Sequence, residues 1–133
     1  TYMQALNMKR TVTGTLAEVT ERVTAAIKKE GFGVLTRIDL HEKFKEKLGK
    51  EVAPVVILGA CNPQLAYEAY QVSSDVAALL PCNVVLRQLA SEQISVEIAK
   101  PSSMMAFLGD AHLTALAAQA DTVLLRALDS LTG

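Results

Sequence analysis

The feature that most constrains this chain is a stripe near its end. Leu113, Leu116, Ala117, Ala120, Leu124, Ala127, Leu128 and Leu131 recur at helical spacing, the strongest periodic signal in the sequence. A helix with one such face must bury it against a second layer. The segments upstream that offer a layer read as strands. Val52 to Ala60 (VAPVVILGA) is an almost unbroken apolar run, as in a strand covered on both faces, and Pro54 confines it to an edge or puts Pro54 at its start. Asn83 to Leu89 and Ile94 to Lys100 read as two more strands, joined through Ala90 to Gln93 in a hairpin, with Ile94, Val96 and Ile98 pointing inward. The long helix is expected to lie on the sheet these strands form.

The first part of the chain adds to the same layer. Met8 to Thr13 (MKRTVT) alternates, and Thr15 to Glu18 supplies a capping box for a helix with the stripe Val19, Val23, Ala26 and Ile27, closed by Gly31. Phe32 to Leu40 reads as a strand with Val34, Thr36 and Ile38 on one face and Leu35, Arg37 and Asp39 on the other. HEKFKEKLGKE keeps only Phe44 and Leu48, one turn after Leu40, and predicts a short surface helix stopped at Gly49.

The 133 residues are half apolar and a fifth charged, the size of one domain spanning 1–133. Thirteen Lys and Arg against fourteen Asp and Glu leave a net charge of −1, so no broad field attracts nucleic acid or an anionic membrane. No apolar run reaches the roughly 18 residues that cross a bilayer, and TYMQALNMKR has no secretory pattern. The expected location is the cytoplasm, with no nucleic-acid or membrane partner. Two cysteines are too few for a disulfide scaffold.

Those cysteines flank one excursion. Asn62 is a good N-cap and Pro63 suits the first helical position, so Cys61 ends a strand ahead of a helix N-terminus, while Pro81 ends the helical region and Cys82 opens the next strand. Val72-Ser73-Ser74-Asp75 interrupts the helix, and the apolar pattern restarts at Val76, Leu79 and Leu80. A helix–turn–helix of this kind returns the chain to its starting edge, makes the flanking strands antiparallel neighbours and brings Cys61 close to Cys82. After Pro101, Ser102 and Ser103 are expected as caps for the helical C-terminus, with a break at Gly109-Asp110.

ILGACNP at 57 to 63, LLPCNVVL at 79 to 86, the strand pair that follows and PSSMMAFLGD at 101 to 110 resemble the family catalogued as domain of unknown function 302. The likeness covers about the last two-thirds of the chain. It implies a two-layer α+β domain of TATA-binding-protein-like topology, an antiparallel sheet with helices on one face, and a tendency to homodimerise. It implies no DNA binding, since the basic and wedging side chains that read a minor groove are few on these strands. Nor does it bring a reaction, a cofactor or catalytic residues.

Three kinds of function are weighed on the residues. A non-catalytic small-ligand-binding module would use the adaptable cluster Met104, Met105, Phe107 and Leu108, with the hydroxyls of Tyr67 and Tyr70 near it. An interaction module would pair with its own copy, the default closed assembly for a chain of mean hydropathy +0.26. The alternative is a thiol-based redox or soft-metal site at Cys61, Asn62 and Cys82, with the helix dipole lowering the Cys61 pKa. No zinc site is expected: the cysteines lie far apart in sequence, and His41 and His112 belong to other elements. Phosphate-loop, dinucleotide, hydrolase-elbow and metalloprotease motifs are absent. The expected architecture runs β-α-β-β-(αα)-β-β-α, with a short helix between the second and third strands.

Overall fold

In the computed structural model, which describes residues 7–132, alternation and register decide which side chains meet. The strands are β1 (Asn7–Thr13), β2 (Gly33–Asp39), β3 (Val55–Cys61), β4 (Cys82–Ala90) and β5 (Gln93–Ala99). They form one sheet in the order β1-β5-β4-β3-β2, with every neighbouring pair antiparallel. The helices are α1 (Leu16–Lys29), α2 (Leu40–Leu48), α3 (Pro63–Val72), α4 (Pro101–Met105) and α5 (Ala111–Asp129). Two 3₁₀ turns, Ser74–Leu79 and Ala106–Leu108, follow α3 and α4. None of the described helices is long and apolar enough to cross a membrane.

Because β1 and β2 occupy opposite edges, α1 carries the chain across the whole sheet. Thr15 caps it by accepting the Glu18 N–H at 3.2 Å; the Glu18 carboxylate meets the Thr15 hydroxyl, so the reciprocal arm of the expected box closes on a side chain. Val19, Val23 and Ile27 of α1 then pack with Leu124, Ala127, Leu128 and Leu131 against Val12, Val56, Leu58, Val84, Leu86, Ile94, Val96 and Ile98 of the sheet. Arg126 ion-pairs with Glu30 at 2.9 Å and Arg10 with Asp129 at 2.7 Å, and Arg22 donates to the carbonyls of Thr13 and Leu131. These exposed polar contacts set direction more than they stabilise.

A second, smaller core lies at the other half of α5. Leu113, Leu116 and Ala117 pack with Ala69 of α3, Val76 of the first 3₁₀ turn and Met105 of α4. The single stripe read from the sequence therefore serves two clusters. The segment expected as a second helix, Ser74–Leu79, winds as 3₁₀ because it is short and runs into Pro81, which holds Leu80 extended at φ −113°, ψ 153°.

The faces expected for β2 need correction. Val34 lies opposite Ala60, but a register shift before Thr36 places Thr36 opposite Gly59 and Ile38 opposite Ile57. Val34 thus faces the helices, while Thr36 and Ile38 face away, because an inserted residue inverts the side-chain alternation. Gly59 lies below them without room for a side chain: a Cβ there would meet Thr36 Oγ1 and stand 2.8 Å from Pro81 Cγ. α2 buries none of its side chains and is fixed at its start by His41, whose Nδ1 accepts the Val55 N–H at 3.1 Å.

Candidate functional site

The two cores meet at a cavity of about 50 Å³. Cys82 enters it from the start of β4 and Cys61 from the end of β3, where the chain leaves the sheet for α3. The strands are paired so that Ala60 lies opposite Cys82, one residue from Cys61. The helix–turn–helix excursion thus brings the two cysteines together as expected, and both are free thiols, half-buried. Met105 of α4, 7 % exposed, adds a third sulfur-bearing side chain to the wall. The rest of the lining is almost wholly apolar, with Phe32, Leu65, Leu80 and Leu116 among its members.

Asn62 is the expected N-cap: its Oδ1 accepts the Leu65 N–H at 3.1 Å. Its amide nitrogen packs against Gly31, where a Cβ would come within 2.9 Å of it at a backbone φ of +87°. That position is open to glycine alone on both counts. Asn62 therefore fixes the entry of α3, and it also lines the cavity.

The thiols differ from the expectation that the helix dipole lowers the Cys61 pKa. Burial pushes the Cys61 thiol up. Cys82 is pushed up to about 11, first by burial, then by the charge of Cys61 and of Asp121. Withdrawal from water disfavours a thiolate and is the leading cause of both upward shifts. Both groups are protonated at neutral pH and are weak nucleophiles.

Asp121 is the residue that sequence reasoning missed. It projects from α5, and its Oδ1 accepts the Ser102 N–H at 3.1 Å while Oδ2 accepts the Ser102 hydroxyl. The two serines expected as caps instead lie inside α4, whose cap position, Lys100, makes no side-chain bond. The true cap comes from 19 residues downstream, and no local motif announces it.

The other expected residues divide. Met104 is half-buried and lines an adjoining groove of about 220 Å³, whose wall also includes Leu80, Cys82, Pro101 and Met105. Tyr67 and Tyr70 are 63 % and 50 % exposed on the outer side of α3 and line neither space, so their hydroxyls are not part of this site. Phe107 is exposed as well. The helical period explains this: Ala69 takes the inward position of α3 and turns the tyrosines out. His112 is exposed in the first turn of α5, and among the described residues no three His, Cys, Asp or Glu side chains gather around one point.

A five-stranded antiparallel sheet with a helical layer defines an α+β domain. The sequence profile of the Domain of unknown function DUF302 matches residues 8–131, and the chain belongs to that family. A solved structure described as an uncharacterized conserved protein DUF302 from Bacillus stearothermophilus superposes with a TM-score of 0.89 at 31 % identity, covering 95 % of this chain and 98 % of that one. Comparison with curated proteins returned no match.

Proposed function

We propose that this chain is a non-catalytic binding module that acts as a homodimer and holds a very small ligand in the sulfur-lined cavity. The observation that carries this is that Cys61, Cys82 and Met105 all border one small, largely apolar space where the two cores meet. A space of about 50 Å³ is far below the several hundred Å³ of a drug-sized pocket, so the occupant is an ion or a few atoms. Dimerisation is supported by the sheet face turned away from the helices, where Ile38, Ile57 and Val85 lie side by side on three neighbouring strands. A homodimer gives such a strip a closed partner. A thiol-redox role is the weaker reading, because raised thiol pKa values slow attack on an oxidant or a disulfide.

Native mass spectrometry of freshly purified protein, compared with its denatured mass, tests both parts. The expected result is a dimer carrying excess mass that is lost on denaturation. A bare monomer would remove both parts of the proposal, and an adduct that survives denaturation but yields to reductant would favour the redox role.

A further inference from the structure

Resting on that reading of the cavity, we infer that its occupant is a small uncharged apolar molecule of about three or four non-hydrogen atoms, and that Met105 sets its upper size. The size follows from the space. A single buried water needs about 10–15 Å³, so a cavity of about 50 Å³ has room for a few such groups. The absence of charge follows from the wall. Among the described residues no Lys, Arg, His, Asp or Glu lines it. Its one amide, Asn62, has Oδ1 engaged by the Leu65 N–H and its nitrogen packed against Gly31. An ion or a polar molecule entering here loses hydration that the wall does not replace, whereas an apolar molecule loses nothing of the kind. Because the space is partly open to solvent, the guest exchanges without unfolding of the domain.

The thiols do not alter this. Ala60 and Cys82 are cross-strand partners, so Cys61, the next residue along β3, turns to the opposite face of the sheet, and the two sulfurs do not form a joint donor set. Each remains a protonated, weakly polar group that behaves as a small hydrophobe. Met105 acts through its length. It is buried on α4 and borders both this cavity and the groove of about 220 Å³. Of the residues shared by the two spaces, Leu80, Cys82, Pro101 and Met105, it has the longest unbranched side chain, so shortening it is the change that joins them. Because α4 lies outside the sheet, that change leaves the strand register alone.

The test is an NMR titration of the reduced protein with dimethyl sulfide, dimethyl sulfoxide, acetate and benzene, reading Phe32, Leu65 and Leu116, which line the cavity and not the groove. The expected result is saturable shifts with dimethyl sulfide and at least about tenfold weaker binding of the sulfoxide, whose added oxygen finds no donor. Benzene, which fits a cavity of about 150 Å³, should be excluded from the wild type. Met105→Ala should admit benzene, and Met105→Leu, which keeps the volume, should still exclude it. Ala66→Leu, at a half-buried lining position of α3, should fill the space and weaken dimethyl sulfide at least about tenfold. If the sulfoxide or acetate binds as tightly as the sulfide, the guest is not apolar; the assignment is overturned and the cavity reading stands. Benzene in the wild type, or its exclusion from Met105→Ala, overturns the role of Met105. Sulfide shifts unchanged in Ala66→Leu place the guest elsewhere and overturn the assignment as well. If neither dimethyl sulfide nor xenon under pressure moves these signals, the cavity reading falls with it.

Discussion

Cys82 keeps its proton at neutral pH because its surroundings cannot solvate a thiolate, and that cost has to appear in folding. The unfolded chain titrates this thiol at about 8.5. The folded chain titrates it at about 11. Between those values the native state binds more protons than the unfolded one, so unfolding free energy falls as pH rises. The contribution is intact below the unfolded value and is lost as pH climbs through the folded one, for a total on the order of 3 kcal/mol. Cys61, raised by burial as well, acts in the same direction. Urea denaturation at neutral pH and near pH 10.5 should show a steeper loss of stability in the wild type than in Cys82→Ala. Parallel losses in the two proteins would place the cost on other groups. What sequence supplied at this scale was the address of each cysteine, between an N-cap asparagine and a helix-ending proline. It did not supply the sign of the pKa shift, because a dipole is written locally whereas burial by Leu116 and Met105 comes from elements far along the chain.

Helix α4 has five residues, too few to persist without support. Its support is Asp121, which satisfies the Ser102 N–H and hydroxyl from the neighbouring helix. Replacing Asp121 with Ala should therefore cost about 1–2 kcal/mol, the range for losing a charged cap. Ser102→Ala should cost less, and a double-mutant cycle by chemical denaturation should return a coupling of about 0.5 kcal/mol or more. Additive effects would show that the cap does not hold α4. Asp121→Asn keeps one acceptor and removes the charge that pushes the Cys82 thiol up, so it should lower that pKa while sparing most of the stability. Elements with local signals were legible: the α1 cap at Thr15, the stop at Gly49, the break at Gly109-Asp110 and the hairpin between Ala90 and Gln93 all stand where the residues put them. The bulge in β2 was not legible, since an inserted residue inverts a period of two without leaving a mark in composition. The α4 cap was hidden for a different reason, its two halves being joined only after α5 has docked.

At the scale of the molecule, layers and strand adjacency were legible because the α5 stripe demanded a sheet and the excursion between Cys61 and Cys82 demanded neighbouring strands. The face that stays uncovered was not, because the β2 bulge decides part of its make-up. Opposite the helices, register aligns Ile38 with Ile57 and Ile57 with Val85, and Val55 lies next along β3. Over the main core the helical layer draws its residues from α1 and α5, and α2 contributes none. Beside this strip, on the same face, stand charges of both signs, with Arg87 and Glu97 paired at 3.7 Å. In the proposed homodimer a two-fold related copy would meet this apolar centre with an apolar centre, and charges of both signs with charges of both signs, which is the self-complementarity that an isologous interface requires. Ile38, 43 % exposed, is the member of the strip whose substitution does least to the monomer. Ile38→Glu is therefore expected to weaken association at least about tenfold while changing monomer stability by less than about 0.5 kcal/mol, as for most surface positions. Sedimentation velocity across a concentration series reads the first and urea denaturation the second. Leu125→Glu, on the exposed side of α5, serves as the control and should leave the dimer intact. If Ile38→Glu sediments with the wild-type mass at every concentration while Leu125→Glu falls to half, the dimer is built on the helical layer instead, and the open sheet face is free for another partner.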